Sequence, residues 1–82
     1  MAHLKIQVFK GRATEPSTTA RIPVRVLRIA SSLIPGKAAR ELEEQGIDVE
    51  AIIAAAENPD AHGVLTEVED HEKDQRIVIS VE

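Results

Sequence analysis

Apolar positions recur along this chain with two different periods, and the changes of period divide it into elements. Leu4, Ile6 and Val8 alternate with Lys5, Gln7 and Phe9. A period of two is that of a strand with one face on a core, so residues 3–9 form a first strand. The next stretch, "GRATEPSTT" at 11–19, is rich in turn formers and has no apolar periodicity, and the region 10–19 reads as a mobile loop. Beyond it, Val26, Ile29, Ala30 and Leu33 fall three and four apart, widened by Leu27 and Ile34, while Arg21, Arg25, Arg28 and Ser32 recur on the opposite side. With Pro23 suited to a first helical turn, this spacing predicts an amphipathic helix over about 23–34. The β-branched residues lower helix propensity by only about a few tenths of a kcal/mol each, and a strand is the competing reading of the same stretch.

Pro35-Gly36 ends that helix. A second, short helix follows, with Ala38, Ala39 and Leu42 inward, Arg40, Glu41, Glu43 and Glu44 solvated, and Gly46 placed as a left-handed C-terminal cap. Asp48 can cap a third helix, Ile47 and Ile52 can staple its entry, and Val49, Ile52, Ile53 and Ala56 make its buried face. Asn58-Pro59-Asp60 stops it. From His62-Gly63 the period returns to two: Val64, Thr66 and Val68, then Ile77, Ile79 and Val81, are the two strands of a hairpin. Its connection, Asp70 to Asp74, holds no glycine and should be wide and exposed. The expected architecture is α+β: one domain over 1–82, a small antiparallel sheet of N-terminal strand plus C-terminal hairpin, with three short helices on one face.

Charge changes this picture more than composition does. The net charge of −4 conceals two unlike halves. Residues 1–40 hold eight basic residues against Glu15 alone, a net +7, and residues 41–82 hold Lys73 and Arg76 against thirteen carboxylates, a net −11. Such halves attract within one fold or between two copies. Arg21, Arg25, Arg28 and Lys37 form the candidate interaction surface, a basic face for an acidic partner. The absence of cysteine removes disulfides and thiolate metal sites. No run near the first residues has signal-peptide length and no stretch is apolar enough to span a bilayer, so a cytoplasmic location is expected.

Catalytic and metal motifs are weak. His3, His62 and His71 lie far apart, without a spacing that puts two ligands on one helical face. His71 among Asp70, Glu72 and Asp74 could hold a divalent cation, but a solvated turn explains the same residues. No glycine loop cradles phosphate, no Ser or Thr has a recognisable His and carboxylate, and Glu41, Glu43 and Glu44 read as the wet face of a helix. Neither an enzyme nor a cofactor is expected.

The segments "RIPVRVLRIASSLIPGKAARELEEQGIDVEAIIAA", "HGVLTEVED" and "RIVISVE" together resemble the small SHOCT-like domain of bacterial proteins associated with envelope stress. The resemblance covers about residues 20–82. Ile22-Pro23, Leu33-Ile34-Pro35, Glu43 to Ile52 and Gly63 to Asp70 are its most telling pieces, and the 11–19 loop fits least. It implies a non-enzymatic interaction or regulatory module without a cofactor, and it carries over no site residues. The resulting expectation is a protein-interaction module that binds a protein partner or itself as a homodimer. One of the terminal strands, Lys5–Phe9 or Arg76–Val81, would offer an open edge. The alternative is a nucleic-acid- or anionic-lipid-binding regulator using the basic helix face. Net acidity and the near absence of aromatics count against nucleic acid, and the core's need for the helix's apolar side counts against lipid.

Overall fold

The computed structural model describes residues 2–29 and 33–82. Strand β1 is His3–Lys10, β2 is Thr18–Pro23, helix α1 is Gly36–Glu44, α2 is Val49–Glu57, β3 is Gly63–Asp70 and β4 is Gln75–Val81; a 3-10 turn, Val24–Val26, follows β2. The strands form one antiparallel sheet in the order β2-β1-β4-β3.

Alternation decides which face of the sheet is dry. Leu4, Ile6 and Val8 of β1 stand in register with Val81, Ile79 and Ile77 of β4, and Ile22 of β2 stands beside Leu4. All of them are buried, in one cluster with Leu27, Ile34, Ala38, Leu42, Ile52, Ile53, Ala56 and Val68. Both helices therefore cover the same face. Each fully buried Leu or Ile contributes roughly 1.5–3 kcal/mol, and a cysteine-free chain of this size rests on that sum. The opposite face carries Lys5, Gln7, Thr19, Arg21, Val78 and Ser80. There Arg76 lies 4.5 Å over the ring of Phe9, a cation–π contact that covers the lone aromatic.

The expected three-helix α+β arrangement is corrected here to four strands and two α-helices among the described residues. Of the stretch read as a helix over 23–34, Pro23 instead ends β2, which pairs with β1, and Val24–Val26 makes a 3-10 turn rather than the start of an α-helix. The burial pattern explains the error. Ile29 is 89% exposed and Leu33 58% exposed, although the helical reading placed both in its apolar stripe. The residues taken inward are Ile22, Leu27 and Ile34. Ala30, Ser31 and Ser32, also assigned to that helix, lie outside the described residues. The stretch read as a loop over 10–19 contains the start of β2, and Ser17 is tied down by its N–H and Oγ, both donating to the Val8 carbonyl at 2.7 and 3.0 Å.

Other local readings are matched by the structure. Asp48 accepts from the Glu50 N–H at 2.9 Å as the cap of α2, and Gly46 after α1 has φ +79°, where a side chain would be strained. The hairpin turn has no glycine, and Asp74 takes the left-handed conformation at φ +51°, a role Asp and Asn tolerate better than most residues. Among the described residues, no helix is long and apolar enough to cross a membrane.

Candidate functional site

Two regions bring functional groups together: the junction of α1 with the β3–β4 turn, and the outer edge of β2.

At the junction, Glu41 is 1% exposed, although the sequence reading put it on the wet face of its helix. The helical spacing holds the missed signal: Glu41 follows Ala38 by three and precedes Leu42, and these two are the inward residues of α1. Lys73 spans the buried and exposed carboxylates, its Nζ donating to Glu41 Oε2 at 3.2 Å and to Glu44 Oε2 at 2.8 Å. Asp70 caps the turn, its Oδ1 accepting from the Glu72 and Lys73 N–H groups at 2.9 and 3.1 Å. Glu41 Oε1 is buried and has no hydrogen-bond partner among the described residues.

The electrostatics follow from this crowding. The Asp70 carboxyl beside Glu41, together with burial, raises the Glu41 pKa against the opposing pull of Lys73. Asp70 is lowered, first because its carboxylate can accept a hydrogen bond from Glu41 when Glu41 is protonated, and then by the Lys73 backbone N–H. Of the two, Glu41 is the carboxyl that takes up a proton first as pH falls. Glu44 is lowered by its hydrogen bond from Lys73, and Lys73 is raised by Glu44 and then Glu41. One oxygen from each of Glu41, Glu44 and Asp70 lies within 4.8 Å of the others. His71, weighed from sequence as a ligand, is instead exposed, 3.7 Å from Glu69.

The four basic residues read as an interaction surface do not share a helix face. Arg21 is on β2 and pairs with Glu82 at 2.7 Å. Arg25 lies exposed in the 3-10 turn, with no ion pair to a described residue. Arg28 follows the turn and holds Glu57 of α2 through Nε at 2.9 and 3.1 Å and Nη2 at 2.8 Å, with Glu50 at 3.8 Å. Lys37 opens α1 beside Lys10, whose neighbouring amine lowers its pKa. The pairs of Arg21, Arg28 and Lys5 all join the basic half of the sequence to the acidic half, so part of the charge asymmetry is resolved within the fold.

The sheet edges are β2 and β3; the two terminal strands, one of them expected to offer an open edge, are both central. β3 carries a bulge between Val64 and Thr66 and the acidic residues Glu67 and Glu69, devices that protect an edge from strand addition. β2 has neither. The Val24 N–H donates to the Ala2 carbonyl at 3.0 Å, which fixes the phase of the ladder: Ile22, Ala20 and Thr18 bond to β1, and the backbone groups of Thr19 and Arg21 point away from the sheet.

Residues 2–80 match the family described as YvlB-like protein, C-terminal domain. This overturns the SHOCT-like resemblance, which is to a different family and rested on turn punctuation and core positions that many small α+β folds share; the envelope-stress association falls with it. No curated protein and no solved structure matches the chain.

Proposed function

This chain belongs to the YvlB-like C-terminal domain family, and we propose that it is a non-enzymatic protein-interaction module that pairs with a second copy of itself through β2. The observation that carries this reading is the open edge of β2, where the Thr19 and Arg21 backbone groups face outward, no bulge interrupts the register, and the strand's one charged side chain, Arg21, is held by Glu82. Strand addition supplies those groups with partners.

Antiparallel pairing about Ala20 sets Thr19 opposite the partner's Arg21, so the outward amides and carbonyls of both copies are satisfied together. The small Ala20 side chains meet at the two-fold axis, and no like charges lie directly opposite each other. The arginine-face alternative, binding nucleic acid or anionic lipid, loses its support because Arg21 and Arg28 hold carboxylates and no single helix presents them. Size-exclusion chromatography with light scattering across a wide concentration range tests the reading. The mass is expected to rise from 8.9 kDa toward about twice that value, and a Thr19→Pro change, which deletes one outward N–H on an edge strand, should hold it at the monomer. A single 8.9 kDa species at the highest concentration would refute it.

A further inference from the structure

The junction of α1 with the hairpin turn holds three carboxylates against one ammonium, a residual charge of −2. Carboxylates gathered at a surface imply nothing by themselves. The deciding feature is Glu41, 1% exposed and turned into the cluster, with Oε1 lacking any hydrogen-bond partner among the described residues. A buried acceptor without a donor is a position for a proton or a cation.

We propose that Glu41, Glu44 and Asp70 bind one divalent cation of the calcium class where α1 meets the β3–β4 turn. The spacing accommodates that ion. Calcium takes oxygens at 2.3–2.6 Å, so ligands on opposite sides of it stand up to roughly 5 Å apart, whereas magnesium's octahedron holds them near 4 Å. One oxygen from each carboxylate already lies within 4.8 Å of the others, which suits the larger ion without movement of α1. The site opens onto a shallow cleft lined by Glu44, Gln45, Asp70 and Lys73, through which solvent can complete the coordination. Lys73 is the resident competitor. Its ammonium bridges Glu41 and Glu44, and its half-exposed side chain can swing outward when the ion enters.

Calcium chloride titrated into the full chain at neutral pH and low salt, followed by calorimetry and amide chemical shifts, tests the proposal. A 1:1 complex is expected, with shifts centred on residues 41–44 and 70–73 and calcium bound at least tenfold more tightly than magnesium. Glu44→Gln, at an exposed position that should leave the fold intact, is expected to weaken calcium at least tenfold. Lys73→Met is expected to tighten it severalfold. Unmoved shifts at those residues up to about 10 mM calcium, or equal affinity in the wild type and Glu44→Gln, would overturn the assignment and leave the buried pair a proton-sharing contact only.

Discussion

Replacing Glu41 by Gln should stabilise this domain at alkaline pH, although it removes a charged group from an ion-pair network. In the wild type, Glu41 Oε1 is buried without a donor, and an unsatisfied buried polar group costs about 1–3 kcal/mol. The Gln amide has the same size and can donate to the Asp70 carboxylate while its oxygen still accepts from Lys73. The weakened contact to Lys73, which Glu44 continues to hold at 2.8 Å, offsets part of that gain. The net is about 1 kcal/mol, or roughly 4–8 °C in Tm for a domain of this size. The sign with pH follows from linkage. A carboxyl whose folded pKa is raised contributes stability that is fully present below the unfolded value, near 4.3 for Glu, and is lost as pH rises through the folded value. The gap between variant and wild type should therefore widen as pH rises above the unfolded value and close near pH 4. Thermal unfolding followed by circular dichroism in EDTA measures it. A variant less stable than the wild type at pH 8, or a gap that does not change with pH, would refute the reasoning.

Other substitutions separate structural from dispensable groups. Arg28→Gln, which breaks the forked contact to Glu57 on an exposed surface, should cost about 0.5–1 kcal/mol in urea unfolding and less at high salt. Arg25→Gln should change neither stability nor association. Asp48→Ala removes the cap of α2 and should cost about 1 kcal/mol by the same measurement. Ile53→Ala empties a site that is 1% exposed beneath the sheet and should cost about 2–5 kcal/mol, the largest loss of the four.

Elements whose signals are local were legible in the sequence. The alternation of Leu4, Ile6 and Val8, and that of Ile77, Ile79 and Val81, led to β1 and β4 within a residue or two, because both strands bury a single face. Asp48 and Gly46 marked helix ends because caps act through their own neighbours. The failures lie where tertiary partners decide. Thr18 and Thr19, read as loop, become strand because β1 offers an open ladder beside them, which their turn-forming chemistry does not record; the spacing of Val26, Ile29 and Leu33 suited an α-helix that the described residues do not form. Glu41 was misread on side-chain chemistry although its place in the helical period put it inward, and its partners Asp70 and Lys73 come from a turn about thirty positions away. The arginines were read as a stripe only because the helix was assumed, and their carboxylates on α2 and at Glu82 were beyond the reach of spacing arguments.

Amide hydrogen exchange at Thr19 and Arg21, measured by NMR at low and high protein concentration, tests the proposed pairing through β2 most directly. The N–H groups of Ala20 and Ile22 already bond to β1 and serve as internal references. The account predicts that Thr19 and Arg21 exchange quickly in dilute solution and gain protection in step as concentration rises, while Ala20 and Ile22 change little. Fast exchange of Thr19 and Arg21 at every concentration, with an unchanged mass, would contradict self-association through this edge.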